Sequence, residues 1–138
     1  MVNKPKQKGT AAETAVVRYA REHGFPLADR LTLTGRYDRG DVLLCPGAVI
    51  EVKAGKAAQY ASYGQILAWM EETRTEMRNG HADTAALIVQ RQGMGLTRVG
   101  LWEFWYDVQF PWPALACRTV DDGLRMLRWS GWGNPLEE

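Results

Sequence analysis

The sequence predicts an α/β domain with a mixed central sheet flanked by helices, on three observations. Two stretches, 10–23 and 57–79, place apolar residues at helical spacing. Two short apolar runs, Ala48–Lys53 and Ala85–Gln90, have the length and composition of buried strands. Helical and extended stretches alternate along the chain, which places strands in one sheet with helices packed on it. The 138 residues are enough for one domain with its own core.

The elements follow in order. Residues 1–9, lysine-rich and without periodicity, read as a flexible basic arm. Thr10 opens a helix whose inner stripe is Ala15, Val16, Tyr19 and Ala20; Gly24 caps it and Pro26 prevents continuation. Residues 28–34 suit an edge strand. Asp41–Leu44 and Ala48–Lys53 form two strands around Pro46-Gly47. One long helix spans Ala57 to Asn79, with Tyr63, Ile66, Leu67, Met70 and Met77 inward and Gly80 as its cap. Ala85–Gln90 and Val99–Val108 are the last two strands, the second ending at Pro111-Trp112-Pro113. A short helix, Asp121–Trp129, closes the chain with Thr119 as cap. The expected order is therefore one helix, three strands, a helix, two strands and a helix, with five strands in the sheet.

Composition narrows the function classes. No apolar run reaches membrane-span length, and MVNKPKQKGT lacks the apolar stretch of a signal peptide, so a cytoplasmic protein is expected. Cys45 and Cys117 lie far apart in no metal-binding spacing and read as packed, inert thiols. With two histidines and two cysteines there is little to build a zinc site from. Any metal falls to carboxylates. The net charge of +1 conceals an uneven distribution: residues 1–56 hold 10 Lys+Arg against 6 Asp+Glu, and the remainder 7 against 10. A basic N-terminal half suits a polyanionic partner.

Asp41, Glu51 and Lys53 carry the chemistry. In a strand, residues two apart share a face, so Glu51 and Lys53 point one way while Ile50 and Val52 point the other. A carboxylate and an amine on a buried strand need a use or a partner, and an ion pair between the two is the bland alternative. Asp41 joins them only if the hairpin register sets it opposite Glu51. A three-residue loop, Cys45-Pro46-Gly47, does this by bringing Leu44 opposite Ala48, and a bulge has the same effect. A two-residue loop without a bulge puts Asp41 on the wrong face. Two facing carboxylates beside a lysine suit phosphodiester hydrolysis, since magnesium takes hard oxygen ligands and lowers the pKa of a bound water. The lysine orients that water or neutralises charge growing on the phosphorus.

The spacing of Asp41, Glu51 and Lys53 resembles the core motif of the PD-(D/E)XK nuclease superfamily, with Gly40 where a proline usually precedes the aspartate. The chain is most similar to Holliday junction resolvases of the archaeal type and their phage relatives. Lys8-Gly9-Thr10-Ala11-Ala12-Glu13 matches the segment that opens their first helix, and Gly24 falls where that helix ends. Asn79-Gly80-His81-Ala82-Asp83, leading into an apolar strand, also resembles the phage members. The likeness covers about residues 8–92. It implies a restriction-endonuclease-like core and magnesium, with manganese as a substitute, held by Asp41, Glu51 and the Val52 carbonyl. Glu13 would complete the catalytic set through a metal-bound water or by holding Lys53. It further implies a homodimer that resolves four-way DNA junctions by paired nicks. Other nucleases of the superfamily, and a catalytically silent DNA-binding protein of the same fold, are the alternatives.

Several residues admit two readings. Thr10 and Glu13 also form a capping box, in which Glu13 returns to the Thr10 amide. Lys8, Arg36, Arg39 and Lys56, with Lys4 and Lys6, are either phosphate contacts or solvated surface. Gln65 is the preferred polar contact to DNA on the long helix, where Gln59 and Tyr63 are plain helix residues by the other reading. Asp38 competes with Asp41 but suits a turn. The six tryptophans suit core or dimer packing better than base stacking.

Overall fold

In a computed structural model of the protein, residues 4–31, 40–91 and 97–137 are described, with side chains from residue 10 onward. Six strands, β1 (Asp29–Arg30), β2 (Val42–Cys45), β3 (Ala48–Lys53), β4 (Thr84–Val89), β5 (Glu103–Val108) and β6 (Ala114–Thr119), form one sheet in sequential order. All neighbours are antiparallel except β3 and β4, which are parallel. The parallel pair requires a crossover, and α2 (Lys56–Gln59) and α3 (Tyr63–Asn79) supply it. Helices α1 (Lys4–Glu22) and α4 (Val120–Trp129) complete the set. The mixed α/β architecture is as expected, with six strands in place of five.

Period-two alternation divides the sheet into two apolar faces. Val42, Leu44, Ala48, Ile50, Val52, Ala86, Ile88 and Phe104 meet Ala12, Val16, Val17 and Ala20 of α1 and Leu124 and Leu127 of α4. Leu87 and Val89 meet Ala58 of α2, Ala61 of the link that follows it, and Ile66 and Met70 of α3, with Trp69, Trp105 and Leu115 at the margin. β3 lies between β2 and β4 and is covered on both sides, which is why five of its six residues are buried. Helix α3 is held on its face by Arg74, whose guanidinium donates two 2.8 Å bonds to the Asp107 carboxylate on β5. Across the other layer the Tyr19 hydroxyl of α1 donates to Asp121 Oδ1 of α4 at 2.9 Å.

Five expectations change. Helix α1 starts at Lys4, so residues 4–9 are helical where an arm was expected, and Thr10 lies inside the helix instead of capping it. Pro5 causes no conflict, since a first-turn amide has no partner to lose. The long helix is broken: Ser62, in extended conformation, accepts the Gln65 amide at 3.1 Å and starts α3 afresh. On α3, Tyr63 and Leu67 are exposed, and Thr73 and Glu76 take inward positions. Val99–Leu101 is a 3-10 turn before β5. β6 was not expected, because its strand is an edge with scarcely any burial. The closing helix does start at Thr119, whose hydroxyl accepts the Asp122 amide at 3.1 Å.

Among the tryptophans, Trp102 is buried, Trp69, Trp105 and Trp132 pack against the two cores, and Trp112 and Trp129 are exposed. Cys45 and Cys117 are free thiols; Cys45 is half-buried, but Cys117 lies exposed on the edge strand β6, where a packed thiol was expected. No helix among the described residues is long and apolar enough to cross a membrane.

Gly123 allows α4 to lie directly on the sheet: a Cβ there would meet the Phe104 ring at 2.3 Å. Phe104 is fully buried and cannot give way. Gly123→Ala should therefore lower stability by about 1–3 kcal/mol despite alanine's better helix propensity. Urea unfolding checks this, and an unchanged midpoint would contradict the close approach.

Candidate active site

Asp41 reaches the site through the geometry of the β2–β3 hairpin. Val42 pairs with Ile50 and Leu43 with Val49, but Cys45 pairs with Ala48, so the register shifts between Leu43 and Cys45. Leu44 is the extra residue of a β-bulge, and the turn itself is only Pro46-Gly47, with Gly47 at φ 87°. The expected three-residue loop is replaced by a two-residue turn plus a bulge, which has the same consequence for parity. Extending the ladder by one residue sets Asp41 opposite Glu51. The Asp41 amide donates to the Ile50 carbonyl at 3.0 Å, and its Oδ2 accepts the Val52 amide at 2.8 Å. Main chain and side chain together fix the carboxylate against β3.

Asp41, Glu51, Val52 and Lys53 line one cavity of about 710 Å³, beneath α3 and beside α1. Glu13 of α1 also lines it, with Arg30 of β1 at 3.3 Å. The capping-box alternative for Glu13 lapses, because Thr10 is not a helix start. Among the described residues Glu13 pairs with Arg30 and forms no ion pair with Lys53. The Lys53 amine instead pairs with Glu72 of α3 at 3.3 Å and lies 5.5 Å from the centre of the Trp69 ring. The ion pair between Glu51 and Lys53 is likewise not formed.

Glu51 is 5% exposed and hydrogen-bonds to the carboxyls of Asp41 and Glu76. Burial foremost, then these bonds and the charge of both neighbours, raise its pKa from 4.5 to well above neutrality. It therefore holds a proton at neutral pH in the metal-free protein. Lys53 is subject to burial, which lowers its pKa, but the charges of its acidic neighbours, with Glu72 in direct contact, outweigh this and the net shift is upward. The amine stays cationic.

The donor chemistry fits magnesium. Acid oxygens that must share protons to coexist are the oxygens a divalent cation can hold together, and magnesium takes one or two protein carboxylates while keeping its waters. Among the described residues, no three His, Cys, Asp or Glu side chains converge as a ready-made cage. A site of two carboxylates, Asp41 and Glu51, with the Val52 carbonyl and water is the arrangement open to it.

Of the other candidates, Lys56 and Gln65 are exposed and do not line the cavity. Lys8 lies in α1 at a position whose side chain is not described, and Arg36, Arg39 and Asp38 fall outside the described residues. Gln59 lines a separate cavity with Gly55 and Gln90. Glu72 and Glu76 were missed by sequence reasoning. Glu76 had a signal: the inward stripe through Ile66, Met70 and Thr73 continues onto it at helical spacing. No protein-family model matches the chain, nor does any curated protein or solved structure.

The proton on Glu51 has a consequence for stability. A carboxyl with a raised folded-state pKa binds a proton that the unfolded chain releases above pH 4.5, so stability falls as pH rises from there through neutrality. The slope for one such group is up to about 1.4 kcal/mol per pH unit. Glu51→Gln should remove this component and stabilise the metal-free protein at pH 7–8. Urea unfolding of both proteins in EDTA from pH 5 to 8 measures the difference, and parallel profiles would contradict a protonated Glu51.

Proposed function

We propose that the chain is a magnesium-dependent DNA endonuclease of the PD-(D/E)XK class with a restriction-endonuclease-like core, acting as a homodimeric resolvase of four-way junctions. The observation that carries the nuclease reading is the register that sets Asp41 opposite Glu51 in the cavity containing Lys53. The junction substrate and the homodimer rest on the resemblance of residues 8–92.

In this reading Asp41, Glu51 and the Val52 carbonyl hold the ion. When bound, magnesium supplies an acidified water and withdraws charge from the phosphoryl oxygens. Lys53, kept cationic, orients the attacking water or offsets charge on the phosphorus. Glu13, paired with Arg30, stands at the cavity wall as a fourth member of the site. Lys8, Arg36, Arg39, Lys56 and Gln65 are the proposed DNA contacts.

Electrostatics also supports a cation requirement. Among the described residues, the cavity lining carries six acids, Glu13, Asp41, Glu51, Glu71, Glu72 and Glu76, against the one cation of Lys53. A phosphodiester cannot approach such a surface at close range without a counter-charge. A DNA-binding protein without a metal would have no use for that arrangement, which favours an enzyme over a silent binder.

The test is cleavage of labelled four-way junctions, flaps, duplex and single strands with magnesium. Symmetric nicks at the junction are expected, and equal cutting of linear duplex would exclude a resolvase. No cutting of any substrate would favour the silent binder. Asp41→Asn, Glu51→Gln and Lys53→Ala should each abolish cleavage. In EDTA, Asp41→Asn should bind junctions at least as tightly as the wild type, since it removes a repulsive acid, and Glu51→Gln should bind about equally, since Glu51 is already uncharged there. A normal rate for Asp41→Asn would refute the site.

A further inference from the structure

We propose that Glu72 and Trp69 of α3 are positioning residues for the Lys53 amine, an inference that rests on the nuclease reading above. Lys53 leaves β3 on the α3 side, with a flexible four-carbon stem that by itself fixes no direction for the charge. Two contacts from one helix restrict it. Glu72 Oε2 lies 3.3 Å from the amine, and the Trp69 ring centre lies 5.5 Å from it. Trp69 and Glu72 are three residues apart, so they project from one side of α3 as adjacent neighbours. A carboxylate supplies direction through one ammonium proton. The aromatic face attracts the charge without consuming a donor.

The clamp has a rigid base. Trp69 packs against the core of Ile66, Met70, Leu87 and Val89, and the Arg74–Asp107 pair holds α3 to β5. On the strand side, the Lys53 carbonyl accepts the Gln90 amide at 3.0 Å, anchoring the residue's backbone. The Glu72 side chain is 55% exposed, and ion pairs so open to water add little to folding stability. Orientation of the amine is the use left for it.

Single-turnover cleavage of a four-way junction at saturating magnesium tests this, with Glu72→Gln, Trp69→Leu and Trp69→Phe. Glu72→Gln and Trp69→Leu should each lower the rate constant by about tenfold, as misplacement of a reacting group does, with junction affinity unchanged. Trp69→Phe, which keeps an aromatic face, should recover most of the rate. Wild-type rates for Glu72→Gln would overturn the role of Glu72. Faster cutting with tighter binding would do so too, marking it as an acid that merely repels phosphate. Equal rates for the Leu and Phe variants would overturn the role of Trp69. If Trp69→Leu does not fold, Trp69→Phe against Glu72→Gln still separates the contacts, since only the second should slow cleavage. A wild type that cuts no DNA refutes the nuclease reading and this role together, an outcome distinct from an active wild type with an equally active variant.

Discussion

Glu51 is almost wholly removed from water in the middle layer of the molecule, hydrogen-bonded to two other acids. Glu51 cannot be charged beside two further acids without a compensating cation, so it is either protonated or accompanied by bound positive charge. Much of the remaining architecture serves to hold this unfavourable arrangement. β3 carries Glu51 between two well-packed neighbours, α3 brings Glu76 down onto it, and Asp41 is tied to the strand by its own amide and carboxylate.

The two faces of the sheet do different work. The face under α1 and α4 is continuous hydrocarbon, with Ile50, Val52, Ile88 and Phe104 at its centre. The face under α2 and α3 is apolar only toward Leu87 and Val89, and becomes acidic where β2 and β3 approach α3. The larger core offsets the cost of the smaller, polar one. Alternate residues of β3 serve both: Ala48, Ile50 and Val52 pack on one side while Glu51 and Lys53 reach the cavity on the other.

The parts that were legible in the sequence are those with strong local patterns. β3 and β4 are dense apolar runs, Thr119 is a good cap, and period-two spacing alone places Glu51 and Lys53 on one face. The register was legible as a condition, that Asp41 lies opposite Glu51 only with an odd loop or a bulge, and Leu44 supplies the bulge. β6 was not legible because an exposed edge strand needs no apolar alternation. The break before α3 had a signal that was passed over: Ser62-Tyr63-Gly64-Gln65 has the spacing of a capping box, the mark of a helix start. Glu76 continues the inward stripe of α3 and was open to reading, but Glu72 resembles an ordinary helix acid in sequence. Its role arises from a contact with Lys53 of β3, some twenty residues away in the chain, and such a contact leaves no mark on local spacing.

The bulge at Leu44 also constrains how this chain can change over evolutionary time. Substitutions in β2 and β3 alter one side chain and leave its neighbours where they were. A single-residue insertion or deletion in the hairpin changes parity, exchanging the residues of β2 that face hydrocarbon for those that face the acids. Val42 would then enter the cavity and Asp41 the core, two faults from one event. The segment from Gly40 to Lys53 therefore keeps its length or changes it only by pairs, and its turn keeps Gly47, whose φ of 87° and close neighbours Asp83 and Trp132 leave no room for a side chain.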